Sequence, residues 1–299
     1  MRIFQVDAFT RHPFTGNPAI VVLDAQTLAD AALRSIVREF GHAEVAFVLP
    51  ATEAGHDLKI RFFNTRKEMP FVGHASIAAH AVLLETGRRG YGVCRQESAA
   101  GTIEVEAHPD PAGLDAPAIF EIRQSTPQLE APLPLKTSLR VAEALGLPGA
   151  KLHDELPVRI ARRGGTRLLI PLADSHSLDA LAPQADTLMT IGREIGVDGF
   201  FAFVFHQGPQ AASTDSRMFC PSLGIPEDPV SGNAHAMLAA YLFEAGLLPR
   251  GGGGFVGRQG RQVTRPGLVA VKLEVEDARL TAVRIGGTAV IVSEGTLRL

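Results

Sequence analysis

Pro70-Phe71-Val72-Gly73-His74-Ala75-Ser76 continues as Ile-Ala-Ala-His-Ala-Val-Leu-Leu-Glu-Thr-Gly87, and Pro229-Val230-Ser231-Gly232-Asn233-Ala234-His235 continues as Ala-Met-Leu-Ala-Ala-Tyr-Leu-Phe-Glu-Ala-Gly246. The two stretches align without a gap at an offset of 159 residues, sharing the Pro, the first Gly, two Ala, a Leu, a Glu and the closing Gly. Each reads as a tight turn feeding a helix, with the last glycine where a helix C-terminus favours one. Between Ala75 and Leu84, and between Ala234 and Phe243, nothing is formally charged apart from whatever proton a histidine carries. A helix apolar on nearly every face is a buried helix. These are shorter than the roughly 20 apolar residues that a bilayer span requires. Each half of the chain is therefore expected to wrap a shell of strands around one central helix. The start of such a helix offers free N–H groups and the positive end of the helix dipole, which suits an anion. The plainer reading is that Gly73 and Gly232 are only turn glycines.

With 299 residues the chain is long enough for two domains of about 150 residues each. Its hydrophobic content of 45% supports proper cores, and a net charge of -3 without a basic stripe argues against nucleic acid. Two cysteines, Cys94 and Cys220, make neither a disulfide framework nor a metal cage. His42, His74 and His80 are spread over strand, turn and helix, so no metal is expected. The start, Met1-Arg2-Ile3-Phe4-Gln5-Val6-Asp7, reads as a strand and not as a signal peptide, and a cytoplasmic location without membrane or nucleic-acid partners is the expectation.

In chain order, strands are expected over residues 2–9, 19–23, 45–49 and 59–63. A helix between the second and third carries a capping-box-like Thr27-Leu-Ala-Asp30 and stops at Gly41. Residues 64–69 read as a polar loop, and 102–107 with 118–123 as a hairpin pair. The proline-rich run 125–136 is the best linker candidate, followed by a capped helix from Thr137 to Gly146. Strand 167–171, helix 183–195 and strand 200–205 repeat the first half's order. Ser216-Arg217-Met218-Phe219 echoes Ile60-Arg61-Phe62-Phe63, with three extra residues before the second Pro. Gly251–Gly254 reads as a flexible surface loop, and 268–275 with 281–285 as a closing pair. The boundaries implied are 1–124, possibly completed by a strand near 287–299, and 125–286, with the active site in the cleft between the halves.

Function in a duplicated fold is expected where the copies differ. His74 aligns with Asn233, Met69 with Asp228, and Glu44 with Gly199. Two carboxylates and an imidazole beside two helix starts form a set suited to moving a proton on and off carbon. Taken singly, each has a bland reading as a solvated or turn residue.

At these residues the chain resembles the PhzF-like family, the phenazine-biosynthesis isomerase and its relatives. The marks are Asp7-Ala8-Phe9, Gly16-Asn17-Pro18-Ala19, the Glu-x-x-Phe-Val of 44–48, Arg61-Phe62-Phe63, Glu68-x-Pro70-x-x-Gly73-His74-Ala75, and Gly224-Ile225-x-Glu227-Asp228-Pro229-x-Ser231-Gly232. Gln259-Gly260 and Arg265-Pro266 continue them, in order over nearly the whole chain.

The resemblance implies an α+β fold of the diaminopimelate-epimerase type: two pseudo-symmetric halves, each a barrel-like, mostly antiparallel sheet around a central buried helix. It implies a cofactor-independent isomerase acting on a small unsaturated carboxylic acid, with Glu44 as the acid/base and His74 and Asp228 orienting the substrate. Asn17, Gly73, Ser231, Gly232, Asn233 and Gln259 would bind that substrate, the helix-start amides holding its carboxylate. A homodimer is implied as well. Two departures, Ala43 and Asn233 where many relatives carry hydroxyl residues, bear on which substrate group is held. The alternatives are an amino-acid racemase or epimerase of the same fold, and a non-catalytic binding or scaffold member. The racemases place a Cys before each motif glycine, where this chain has Val72 and Ser231.

Overall fold

Alanine-rich and apolar on every face, residues 73–85 and 232–244 are the two helices around which strands gather. The structure, a computed structural model, describes residues 1–298 apart from 42–43, 114–115, 149–150 and 209–210. His42 and the Ala43 departure thus lie outside the described residues. The chain divides into two compact units, Met1–Arg123 with Gly286–Leu299, and Gln124–Ile285.

The first unit contains β1 (Arg2–Ala8), β2 (Asn17–Leu23), α1 (Asp30–Phe40), β3 (Val45–Leu49), β4 (Leu58–Phe63), β5 (Glu68–Met69), α2 (Gly73–Glu85), β6 (Gly92–Ser98), β7 (Gly101–His108) and most of β8 (Ile119–Ser125). The second contains β9 (Gln128–Pro132), α3 (Leu135–Ala144), β10 (Arg159–Arg162), β11 (Thr166–Pro171), α4 (Ser175–Asp179), α5 (Ala185–Ile195), β12 (Gly199–Gln207), β13 (Ala212–Cys220), β14 (Ile225–Asp228), α6 (Gly232–Glu244), β15 (Gly253–Gln259) and β16 (Gly267–Glu276). The last strand, β17 (Arg279–Thr296), begins in the second unit and ends in the first.

Eight strands close a ring in the order β1, β2, β3, β4, β6, β7, β8, β17 and back to β1. Closure leaves a barrel without free edges, and its interior is filled by α2. Ala75, Ile77, Ala78, Ala79 and Val82 are wholly buried, the small alanines letting the strands approach closely. Most pairs are antiparallel, but β2–β3 and β4–β6 are parallel, each joined through a helix, α1 and α2 respectively. Outside the ring, α1 covers the sheet through Leu33, Ile36 and Val37 against Ile20, Val22, Phe47 and Phe63.

The second unit repeats this wiring. Its parallel pairs are β11–β12 and β13–β15, joined through α5 and α6. The register repeats too: Phe62 faces Met69 as Met218 faces Asp228. Arg61 chelates Glu68 through Nε and Nη2 at 2.8 and 2.7 Å, and Arg217 chelates Glu227 the same way at 2.9 and 2.8 Å. The three extra residues of the second half form a short 3₁₀ turn at Pro221–Leu223. Both central helices end alike. Arg88 N donates to Leu83 O and Leu247 N to Leu242 O, with Gly87 and Gly246 in the left-handed region, the Schellman arrangement.

Several expectations are corrected. Helix α1 starts at Asp30 behind Ala29 and takes no side-chain cap, so Thr27 stands outside it. The run 125–136 is no linker: β9 pairs with β10, its prolines confined to the end or just outside, where a missing N–H is tolerated. Helix α3 begins at Leu135 behind Pro134, again without a side-chain cap, and not at Thr137. The loop 64–69 contains β5. Gly253 and Gly254 belong to β15 and not to a flexible loop; a Cβ on Gly254 would lie 1.8 Å from Val271 O, so close pairing requires the glycine. The strands β6 and β10 had no counterpart in the sequence reading. No helix among the described residues is long and apolar enough to cross a membrane.

Candidate active site

In the first unit, Gly41 ends α1 in the left-handed conformation, and the chain enters β3 through Glu44. Ile20 N donates to Glu44 O at 3.3 Å, extending the β2–β3 pairing by one residue and fixing the glutamate backbone. His74 is the second residue of α2. Its Nε2 stands 3.6 Å from Glu44 Oε2, and the two side chains are only 11% and 12% exposed. Burial lowers the His74 pKa to about 4, so at neutral pH the ring is uncharged. Its Nε2 is buried and makes no hydrogen bond among the described residues. A carboxylate thus faces a neutral imidazole slightly beyond hydrogen-bond reach.

The start of α2 is uncapped by any side chain, Val72 standing at the N-cap. Ser76 N, which bonds Val72 O, is the first amide used by the helix, leaving Gly73 and His74 N–H without an acceptor among the described residues. Asn17 opens β2, is buried, and pairs in register with Ala8. Gly16 turns the chain into it at φ +66°, where a Cβ would meet Ala8 O at 2.2 Å.

In the second unit, Asp228 ends β14 in the register position that Met69 occupies in the first. Gln259 uses both ends of its amide to hold the next turn: Nε2 donates to Asp228 O at 2.6 Å, and Oε1 accepts from Ser231 N at 3.0 Å. Ser231 caps α6, its hydroxyl accepting from Ala234 N at 3.3 Å. Gly232 and Asn233 N–H are left without an acceptor among the described residues. The Asn233 side chain donates to Arg163 O at 3.1 Å and accepts from Arg163 Nη1 at 3.3 Å. The structure brings Glu44 and His74 together at the start of α2, with Asn17 elsewhere on the same unit, and joins Asp228, Ser231 and Gln259 at the start of α6, where Gly232 and Asn233 follow, on the other.

Register explains why the carboxylate pattern is not duplicated. Val45 faces Phe63 as Phe200 faces Phe219, so Gly199 takes the place of Glu44. A Cβ on Gly199 would lie 2.7 Å from Cys220 Sγ and 3.0 Å from Arg167 Cδ. The room that Glu44 enjoys is occupied in the second unit.

Sequence reasoning missed Arg163, between β10 and β11, and two buried histidines. His235 lies against Gly257 and bonds Ser231 O through Nδ1 at 2.7 Å, bracing the cap of α6. His80 accepts from Arg89 at Nδ1 and reaches Gln96 Oε1 through Nε2 at 3.1 Å; Ser76 also donates to that oxygen, at 2.7 Å. Only an Arg-Gly-Gly turn and histidines in an otherwise apolar helix signalled them. Among the described residues no group of three or more His, Cys, Asp or Glu is placed to hold a metal ion.

The profile of the phenazine biosynthesis-like protein family, PhzC-PhzF, matches residues 6–295. The uncharacterised isomerase YddE of Escherichia coli is 37% identical over 295 residues, covering 97% of this chain and 96% of that protein. The trans-2,3-dihydro-3-hydroxyanthranilate isomerase of Pseudomonas fluorescens is 29% identical over 295 residues, covering 98% of each. The crystal structure of a Bacillus anthracis phenazine biosynthesis protein of the PhzF family superposes with a TM-score of 0.88 at 25% identity, covering 100% of this chain and 99% of that one. The chain belongs to the phenazine biosynthesis-like PhzC-PhzF family and is an isomerase of that family.

Proposed function

We propose that the protein moves a proton between carbons of a small unsaturated carboxylic acid without a cofactor, with Glu44 as the acid/base. The observation that carries this is the nearly buried Glu44–His74 pair, 3.6 Å apart at the uncapped start of α2. Glu44 takes a proton from an allylic carbon; the C–H electrons become the new double bond, and the electrons of the old one are released to the far carbon, where they take up the returning proton. Glu44 then returns the proton to the far carbon, so atoms and electrons balance without an oxidant. His74, uncharged above about pH 4, offers Glu44 a hydrogen-bonding group without an opposing charge that would hold it as an ion pair. In the second unit Asp228 orients the substrate, and the unused amides of Gly232 and Asn233 favour its carboxylate.

Racemisation by paired thiols finds no support in the residues present. Val72 and Ser231 stand at the two N-caps, while Cys94 and Cys220 lie buried in β6 and β13. Burial pushes the Cys94 thiol up to about 11, far from a thiolate at neutral pH.

The test is turnover of a panel of unsaturated carboxylates, including trans-2,3-dihydro-3-hydroxyanthranilate, by wild type and Glu44→Gln. The amide keeps size and polarity but takes no proton, so turnover is expected to fall by at least the 10²–10⁴ typical of general acid–base catalysis. Binding, read by thermal shift, is expected to persist. Undiminished turnover in Glu44→Gln would move the base elsewhere.

A further inference from the structure

Arg61 sits against Glu68 and Arg217 against Glu227. Arg163, like Arg89, stands apart from such pairs. It is half-buried, and among the described residues no carboxylate lies within ion-pair distance of it. Its Nε donates to Ser125 O at 3.0 Å and its Nη1 to Asn233 Oδ1 at 3.3 Å. A guanidinium has five N–H donors, so three are left without an acceptor among the described residues. Burial without a counter-charge lowers its pKa from the ordinary arginine value. An uncompensated cation removed from water is costly, and an arriving anion offsets that cost.

The place of this cation is informative. It is held by the side chain of Asn233, whose own N–H, with that of Gly232, is unused at the start of α6. Backbone and side-chain donors of one residue pair are thus grouped with a planar fork suited to a carboxylate. The first unit has no equivalent: register places Ala8, paired with Asn17, where Arg163 precedes β11. Asn233 also stands where the family resemblance expects a hydroxyl residue. A short hydroxyl side chain does not supply both the amide oxygen and the amide nitrogen that here clasp Arg163 at 3.3 and 3.1 Å.

We infer that Arg163, clasped by Asn233, is a specificity-determining residue that recognises the substrate's carboxylate at the start of α6. The inference rests on the isomerase reading above, and it narrows the substrate to acids whose carboxylate is fully ionised when bound. Uncharged analogues, esters and amides, lose the partner of the guanidinium and bind weakly.

The test is calorimetric titration of 3-hydroxyanthranilate and crotonate, each beside its carboxamide, into wild type, Arg163→Met and Asn233→Asp. A charge-assisted hydrogen-bond pair corresponds to roughly tenfold to hundredfold in affinity. Wild type is expected to prefer the acids by that factor, and Arg163→Met to lose the preference by weakening the acids alone. Asn233→Asp keeps the size of the side chain, loses the donor to Arg163 O, and gives Arg163 an internal counter-ion. It is expected to abolish the preference too, which keeps the test decisive if Arg163→Met fails to fold. Acid binding unchanged in either variant overturns the inference, and so does a wild type that fails to separate any acid from its amide. Turnover that depends on Glu44 but is indifferent to Arg163 refutes only this inference. Acid binding that requires Arg163, with turnover indifferent to Glu44, refutes only the acid/base reading of Glu44.

Discussion

Three histidines are folded into low-dielectric surroundings as neutral rings, and this makes the protein acid-sensitive above the carboxylate range. Burial lowers His74 and His235 to about 4, and burial followed by the neighbouring Arg89 charge lowers His80 to about 3, against an ordinary 6.5. Because the folded values lie below the unfolded one, the unfolded chain binds more protons between pH 6.5 and about 4. The stability these rings contribute is therefore complete above pH 6.5 and is lost as pH falls through that window. From pH 7 to 5.5 each ring loses about 1 kcal/mol, and the three together roughly 3–4 kcal/mol. That is a large share of the 5–15 kcal/mol that holds a typical domain folded. The chain has no Trp and two Tyr, so far-UV circular dichroism in urea is the suitable readout. His80→Gln, which keeps a polar group toward Gln96, is expected to remove about a third of the fall. A loss below ~1 kcal/mol between those pH values, or an undiminished loss in the variant, would refute the burial argument.

The duplicated Arg–Glu pair gives an internal comparison. Arg217 and Glu227 are 8% and 11% exposed, against 22% and 34% for Arg61 and Glu68, and Arg217 Nη1 also donates to Leu178 O and Leu181 O. Arg217→Met is expected to cost about 3–5 kcal/mol in urea unfolding and Arg61→Met clearly less, equal costs counting against the account. Gly254→Ala forces a methyl against Val271 O, and is expected to abolish soluble expression or lower the melting temperature by several degrees; an unchanged melting temperature would contradict the close pairing. Cys94→Ser and Cys220→Ser are expected to lose some stability but keep turnover per folded molecule, and loss of turnover in either would revive a thiol mechanism.

How much of this was legible follows from what each element hides. The central helices were plain because an uncharged apolar run closed by Glu-x-Gly has few other readings, and their Schellman ends follow from Gly87 and Gly246. Strand β6 was invisible because its buried positions include Gln96, Glu97 and Ser98, polar residues that break the apolar alternation. Glu97 is held by distant partners, Thr52 and Lys59, each at 2.6 Å. Strand β15 hid behind glycines that signal a loop locally but permit close pairing in the fold. At the site, Glu44, His74 and Asp228 stood out as breaks in an internal repeat. Arg163 did not, since its meaning lies in Asn233, 70 residues away.

The most direct test of the central claim is hydrogen transfer in heavy water, followed by proton NMR on an acid that wild type isomerises, with Glu44→Gln beside it. The account predicts double-bond migration, with the migrating hydrogen partly exchanged for deuterium, in wild type only. Migration or exchange at an undiminished rate in Glu44→Gln would contradict it.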